Sequence, residues 1–270
     1  MRVRIITSVI GMILALGIVY LGGWLFTGAA FFLSLLGLWE LARMLEKMHI
    51  HILLVPSAIS LAAILCAAGL YSLPFYVGVL GFVFVALLFS ILFISQDGIH
   101  DVIYSAFSVV YLGLGFGSMV FLRGGTMIKE GTALMLPPGI FFILTALIGT
   151  WASDSFAYFA GKKYGRHKMA PHISPKKTVE GLLGGSIGSV ILTTAFCASG
   201  GLDGIYSLFL AILIAIAAPA GDLFESYLKR VCGFKDSGHL IPGHGGVLDR
   251  FDSLLFVAPI MLSVLCFTQG

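Results

Sequence analysis

Five carboxylate residues stand in or beside apolar stretches in the second half of this chain. They are Asp154, Asp222, Glu225, Asp249 and Asp252. An ionised carboxylate is costly at membrane depth, and such groups occur there mainly in polar cavities, ion pairs or metal sites. Carboxylate ligands without a cysteine or histidine cage suit a hard cation such as Mg²⁺. The residue types therefore predict a polar, metal-binding site within apolar surroundings.

The spacing of these acids favours one shared site. Four polar residues follow one another at helical intervals of i, i+3, i+4 and i+7 and so form one stripe of a helix: Asp222, Glu225, Ser226 and Lys229. Asp249 and Asp252 are three residues apart on the next predicted helix. Two helices that flank one loop can thus bring several carboxylates together. The alternative, that all five acids are interfacial charges at helix ends, stays open at this stage.

Basic residues accompany the acids. The loop 161–180 carries six basic residues and one acid, and Lys229, Arg230, Lys235 and Arg250 add four more basic residues. Cations next to a carboxylate-held Mg²⁺ suit a polyphosphate, because the metal bridges phosphate oxygens while lysine or arginine neutralises the remaining charge. The glycine-rich turn 242–246 offers backbone N–H groups that can approach a phosphate closely.

The composition shows what kind of fold must position these groups. Of the 270 residues, 59% are hydrophobic and 11% are charged, and the mean hydropathy is +1.03. A soluble chain has about 45–50% apolar and about 25% charged residues. A soluble globular enzyme is therefore excluded, as are disordered, fibrous and disulfide-stapled chains. The protein is predicted to lie in a bilayer.

Continuous apolar runs predict an all-α, polytopic membrane protein with about nine transmembrane helices. Each run can cross about 30 Å of hydrocarbon, and none shows the alternation typical of a membrane barrel. The first two spans are divided at Gly22-Gly23, and the next two around residues 71–74. Residues 1–130 are predicted to form N-terminal transmembrane helices that serve as a scaffold, as a path for lipid access and as a candidate dimer contact. Residues 131–270 are predicted to form the catalytic half, with cytoplasmic loops at 161–180 and 230–248.

The distribution of basic residues predicts the orientation. If nine spans alternate, all of the 16 Lys and Arg residues except Arg123 and Lys129 fall on the same side as the N-terminus. The positive-inside rule then makes the N-terminus cytoplasmic. The net charge of +3 reflects this orientation, and no nucleic-acid partner is expected.

The first half carries little that suggests chemistry. Four charged residues at the end of the second span predict a solvated helix end. They are Glu40, Arg43, Glu46 and Lys47. The small-residue pattern Gly113-x-Gly115-x-Gly117 favours close helix packing, since no strand precedes it as a dinucleotide site would require.

Ordered motifs in the second half resemble the signature of the phosphatidate cytidylyltransferases, the CDP-diacylglycerol synthases. They read SYLKR at 226–230, KDSG at 235–238 and IPGHGGVLDRFD at 241–252, and they match that signature throughout. The segments SPKKTVEG at 174–181 and GDLFES at 221–226 are also similar to that family. The resemblance thus covers about residues 150–255, and in the first half it is limited to apolar character and Trp39-Glu40.

The resemblance implies a reaction, its partners and a location. CTP and phosphatidic acid would give CDP-diacylglycerol and pyrophosphate, with one or two Mg²⁺ ions, or with a monovalent ion as the second ion. The enzyme would be a homodimer surrounded by membrane lipids. In a bacterium it would lie in the cytoplasmic (inner) membrane, with the active site facing the cytoplasm.

Site residues are assigned by combining the resemblance with the chemistry of the side chains. The leading metal ligands are Asp222 and Asp249, followed by Asp154, Glu225, Ser226 and Asp252. The phosphate-binding cations, whose division between nucleotide and lipid stays open, are Lys176, Lys177, Lys229, Arg230, Lys235 and Arg250. Further substrate contacts are expected from Ser174, Thr178, Glu180, Gly245 and Gly246. His244 either donates to a phosphate or places the glycine turn, and Asp236 either binds metal or orients Lys235.

Three other functions are compatible with parts of this pattern. An ion-coupled transporter also places acids in its spans, but it does not need so many basic residues on one face. Another CTP-dependent membrane lipid enzyme, such as a polyprenol kinase, would share the charge arrangement, and it would release CDP instead of pyrophosphate. A noncatalytic lipid-binding scaffold is the third alternative.

Overall fold

The protein is described by a computed structural model, which covers residues 2–93, 98–125, 134–238 and 245–269. Within these ranges the chain forms nine α-helices: α1 (Arg2–Leu21), α2 (Gly23–Glu46), α3 (Leu54–Gly69), α4 (Leu73–Phe89), α5 (Ile99–Gly124), α6 (Pro138–Tyr164), α7 (Val179–Ser199), α8 (Gly204–Val231) and α9 (Leu248–Gln269). A short 3₁₀ helix, Ser90–Phe93, follows α4. An antiparallel ribbon of β1 (Lys168–Ala170) and β2 (Ser174–Thr178) separates α6 from α7.

Six of the described helices are long and apolar enough to cross a membrane. They are α2, α4 continued through the 3₁₀ helix to Leu92, α5, α6, α7 and α8. The predicted all-α membrane fold is therefore confirmed, while the count of nine spans stays a prediction. At about 1.5 Å per residue, the 28 residues of α8 extend over about 42 Å, longer than about 30 Å of hydrocarbon. The polar C-terminal turns of α8 can therefore reach the membrane surface.

Backbone conformation explains two of the breaks between helices. Gly22 and Gly23 have φ values of 65° and 54°, in the left-handed region that glycine adopts without a steric penalty. The α1 helix ends at Leu21 for this reason, as the glycine pair predicts. Tyr71 also has a positive φ, of 54°, between α3 and α4, where the second division was expected.

The chain divides into two compact units, and the first contains α1–α5 together with residues 231–250. In this unit α3 packs against α2, α4 and α5. Its core includes Leu61, Ile64 and Leu112, each fully buried. A side chain at Gly113 would contact Ile64, and one at Gly117 would collide with Tyr76. The prediction that this glycine pattern serves helix packing is confirmed for Gly113 and Gly117.

The second unit contains residues 125–230 and 251–270, and its tightest packing is between α6 and α7. Gly184 and Gly188 face Ala160 and Phe156, where any larger residue would collide. Small residues let helix backbones approach closely in a membrane, where apolar burial by itself gives little drive for association. The small-residue motif of α7 therefore serves a contact within the chain.

The same unit brings α8 close to α9. The Ser253 hydroxyl donates to the Ala218 carbonyl at 3.0 Å, and Gly221 lies against the backbone of Asp252. This close approach places Asp252 of α9 next to the α8 segment that carries Asp222.

Candidate active site

Three of the predicted acids come together in the second unit, each from a different helix. Asp154 lies on α6, Asp222 on α8 and Asp252 on α9, and the charges of Asp154 and Asp222 both act on Asp252. On α8 the Ser226 hydroxyl lies 3.5 Å from Asp222 Oδ1, as expected for residues one helical turn apart. The predicted stripe on α8 is therefore part of a cluster of carboxylates.

The β1–β2 ribbon adds a cation to this cluster. Lys177 on β2 places its Nζ 2.6 Å from Asp222 Oδ2, and both side chains are only partly exposed. An ion pair beside apolar helices stabilises both charged groups, since either one alone would be poorly solvated. The predicted all-helical arrangement left the loop 161–180 without structure, whereas the ribbon is what aims Lys177 at the acids.

A cavity of about 370 Å³ opens beside this ion pair. Its polar lining includes Asp154, Asp222, Lys162, Lys176 and Lys177, and its apolar lining includes Tyr158, Met169 and Leu182. Ligand pockets of about this size commonly combine an apolar wall with a few converging polar groups. This cavity can hold an anionic group next to an apolar one.

Glu225 and Lys229 form a second ion pair, one turn apart on α8. Their side chains are 1% and 10% exposed, so the pair is almost fully enclosed. The sequence assigned Glu225 to metal binding and Lys229 to phosphate binding, and the structure pairs the two with each other. The charge of Lys229 also acts on Asp252, which connects the pair to the carboxylate cluster.

Several predicted substrate-binding residues hold the ribbon in place. Arg230 Nε donates to the Ile173 carbonyl at 2.9 Å, between the two strands. Thr178 caps α7 by accepting from Gly181 N at 3.1 Å. The Glu180 carboxylate accepts from Arg166 N at 3.0 Å and contacts His167 Nδ1 at 2.5 Å. These bonds fix the strand that carries Lys176 and Lys177.

Asp249 belongs to the first unit, where it organises the residues that precede α9. Its Oδ2 accepts from Gly246 N at 2.8 Å, Ser237 N at 3.0 Å and Ser237 Oγ at 2.9 Å. Gly245, with a φ of 85°, allows the turn that leads into Gly246. The carboxylate predicted as a leading metal ligand is thus held in a defined direction by its own loop.

Glu40 is the functional candidate that sequence reasoning missed. It is fully buried, and its carboxylate accepts from Val247 N at 2.8 Å, Leu248 N at 2.9 Å and Ser237 Oγ at 3.0 Å. The interpretation of Glu40 as part of a solvated helix end is wrong, because α2 turns this residue inward while Glu46 is exposed. Its inclusion in the short Trp39-Glu40 resemblance was the only signal in the sequence.

The remaining predicted residues differ in their exposure. Lys235, Asp236 and Arg250 are exposed, and Ser174 is half-buried at the start of β2. His244 lies outside the described residues.

The donor chemistry of the carboxylate cluster fits a hard divalent cation. Asp154, Asp222 and Asp252 offer oxygen ligands, and their mutual repulsion is what such a cation would relieve. Within the described residues, no three acidic, histidine or cysteine side chains stand in an arrangement that would already hold a metal. The cluster therefore supplies suitable ligands without a preformed cage.

The fold defines a helical membrane protein whose second unit carries a polar, charged site among apolar helices. A sequence model described as the cytidylyltransferase family matches residues 2–268. The chain belongs to this family. It is 34% identical over 269 residues to the phosphatidate cytidylyltransferases of Staphylococcus haemolyticus and Staphylococcus epidermidis, covering 97% of both chains in each case. The corresponding protein of Staphylococcus aureus is 33% identical over 273 residues, again covering 97% of both chains.

Proposed function

We propose that this protein transfers the cytidylyl group of CTP to phosphatidic acid and releases pyrophosphate. The relatives named phosphatidate cytidylyltransferase match over nearly the whole chain. The structural observation that carries the proposal is the Lys177–Asp222 pair, which borders a cavity with both charged and apolar walls. Such a cavity suits a substrate that has a phosphate at one end and acyl chains at the other.

The chemistry asks for charge neutralisation more than for a strong base. A phosphate monoester is already ionised at neutral pH, so its oxygen can attack the α-phosphorus of CTP directly. A new P–O bond forms to the lipid phosphate, the bond to the β-phosphate oxygen breaks, and pyrophosphate leaves with that electron pair. Lys176 and Lys177 line the cavity and reduce the repulsion between the two anions.

We propose that Asp222, Asp154 and Asp252 hold Mg²⁺, with Glu225 and Ser226 as further candidate ligands in the same unit. The assignment of Asp249 to metal binding stays a prediction from the sequence. When bound, the ion would act as a Lewis acid on phosphate oxygens. The α8 and α9 helices keep two of the acids close together through the Ser253–Ala218 bond. The enclosed Glu225–Lys229 pair limits the net negative charge of the region, which supports binding of an anionic substrate.

Release of pyrophosphate tests this function against its alternatives. Purified protein in mixed micelles should release pyrophosphate from CTP only when both phosphatidic acid and Mg²⁺ are present. Release of CDP with a polyprenol acceptor would identify a kinase, and ion flux without use of CTP would identify a transporter. An absence of nucleotide turnover with every acceptor would leave only lipid binding.

The proposed orientation places the N-terminus and the site on the cytoplasmic side of an inner membrane, with nine spans. The bias of basic residues supports it. In a variant without native cysteines, a membrane-impermeant maleimide should label Asp203→Cys in intact cells. Lys168→Cys should be labelled only after permeabilisation. The opposite pattern would overturn the orientation.

We also propose a homodimer, a property that the family resemblance implies. Chemical crosslinking in membranes, followed by mass measurement of the purified complex, tests it. A monomer at all protein concentrations would contradict this proposal.

A further inference from the structure

The buried position of Glu40 needs an explanation beyond helix packing. A buried ionised carboxylate is strongly unfavourable unless hydrogen bonds replace its water. Glu40 accepts from the amides of Val247 and Leu248 at the start of α9, and it shares the Ser237 hydroxyl with Asp249. A negative charge is favourable there, because the first amides of a helix have no partners within it.

Ser237 connects Glu40 to Asp249. Its hydroxyl oxygen lies 3.0 Å from Glu40 Oε2 and 2.9 Å from Asp249 Oδ2. A serine hydroxyl carries a single proton, so it donates to one carboxylate at a time. The adjacent amides of Gly246 and Val247 donate to Asp249 and Glu40 respectively. One turn of backbone is therefore held between two carboxylates.

Two glycines make this arrangement possible. A Cβ at Gly238 would stand 2.7 Å from Glu40 Oε1, and one at Gly246 would collide with both Glu40 and Ser237. Gly238 of the motif KDSG and Gly246 of the motif IPGHGGVLDRFD thus make room for the Glu40 carboxylate. The Glu40 carboxylate thus explains why glycine occupies positions 238 and 246, and no contact with a substrate is needed.

We propose that Glu40 is a positioning residue for cytidylyl transfer. It fixes the amides that precede α9 and the Ser237 hydroxyl, and these in turn fix the direction of the Asp249 carboxylate. The effect of Glu40 on catalysis rests on the proposed function. The hydrogen bonds that define it are independent of any substrate.

The test uses Glu40→Gln in the full-length protein, with Glu46→Gln as the matched control. Glutamine keeps the shape of Glu40, but its NH₂ group faces backbone donors instead of accepting from them. We expect faster hydrogen–deuterium exchange at the amides of Gly246, Val247 and Leu248. We expect turnover to fall by about 10–100-fold, with a higher Mg²⁺ requirement and a smaller change in KM for CTP, as for other residues that orient metal ligands. Glu46→Gln, on the exposed side of α2, should match the wild type in all of these measurements.

A second variant separates positioning from general destabilisation. Ser237→Ala removes the connection between the two carboxylates but leaves the two amide bonds to Glu40. If Glu40 acts through Ser237, the fold loss of turnover in the double variant will be smaller than the product of the fold losses in the two single variants. Ser237→Ala also keeps the proposal testable if Glu40→Gln does not fold, since it should still raise the Mg²⁺ requirement.

Defined results would overturn the positioning role. These are unchanged exchange at Gly246 in Glu40→Gln, normal turnover per folded molecule, or multiplicative effects of the two variants. The exchange experiment needs no substrate. If the wild type releases no pyrophosphate, the proposed function fails, and the exchange result still decides whether Glu40 holds this turn.

Discussion

The ammonium group of Lys177 lies 2.6 Å from Oδ2 of Asp222, which joins the β1–β2 ribbon to the α8 helix at the edge of the cavity. The two residues are 45 positions apart in the sequence and belong to different motifs. Their pairing brings a cation from one motif and a carboxylate from another to the wall of one cavity.

The first prediction concerns the charge of Asp222. Asp222→Asn should lower turnover by at least about 100-fold with the fold retained, the order expected when a central charge-stabilising group is removed. Pyrophosphate release and a thermal melt of the purified protein measure the two effects. Asp203→Asn is the matched control, because Asp203 caps α8 and asparagine caps a helix equally well. Near-normal turnover in Asp222→Asn would rule out the proposed metal role.

The second prediction concerns Lys177. Lys177→Met removes the charge but keeps most of the apolar side chain, so turnover should fall by about 10–100-fold, as for loss of one charge-assisted phosphate contact. The KM values for CTP and for phosphatidic acid, measured separately, show which substrate Lys177 contacts. Lys163→Met, on an exposed part of α6, should leave both KM values unchanged. Equal effects of the two variants would contradict a specific role for Lys177.

The third prediction concerns Asp249. In Asp249→Asn the remaining carbonyl oxygen can still accept from Gly246 and Ser237, so the turn should persist while the charge is lost. Turnover should fall by at least about 100-fold, with unchanged hydrogen exchange at Gly246. Faster exchange with a similar loss of turnover would instead mean that Asp249 acts by holding the loop.

Sequence reasoning located the acids of the second unit because charge is rare in apolar helices. Asp154, Asp222 and Asp252 each stand out against their neighbours, and helical periodicity is enough to place Ser226 beside Asp222. The same reasoning found the helix breaks at Gly22-Gly23, where backbone conformation is a local property.

Long-range partners could not be predicted in this way. Glu40 is followed by Arg43, Glu46 and Lys47, so its neighbours suggest a solvated helix end. Its true partners lie about 200 positions away, and two of them are backbone amides, which have no signature in a sequence. The β1–β2 ribbon is also hidden, because its polar, exposed strands show no apolar alternation.

The fourth prediction concerns Cys232, which lies buried just after α8 with its Sγ 3.7 Å from Met48 Sδ. Burial raises the pKa of the Cys232 thiol, and the thiolate is the reactive form, so less of it is present at a given pH. Iodoacetamide should therefore modify Cys232 in the folded protein at pH 8 at least about tenfold more slowly than it modifies the same residue in SDS. Peptide mass mapping measures both rates. Rapid modification of the folded protein would show that residues 231–238 are not packed in the first unit.

The last prediction concerns Gly246, where the chain passes closest to Glu40. In Gly246→Ala the added methyl group would collide with Ser237 Oγ and with the Glu40 carboxylate, so either the turn or α2 must shift. We expect turnover to fall by at least about tenfold and the melting temperature to decrease, because an overpacked site costs about 1–3 kcal/mol. Gly204→Ala is the control, since a side chain at Gly204 would have no atom within 4 Å. If glycine at 246 instead serves only to admit a phosphate, Gly246→Ala will raise the KM for a substrate while the melting temperature and the hydrogen exchange of Val247 and Leu248 stay as in the wild type. That result would show that contact with the substrate, and not the Glu40 carboxylate, requires glycine at position 246.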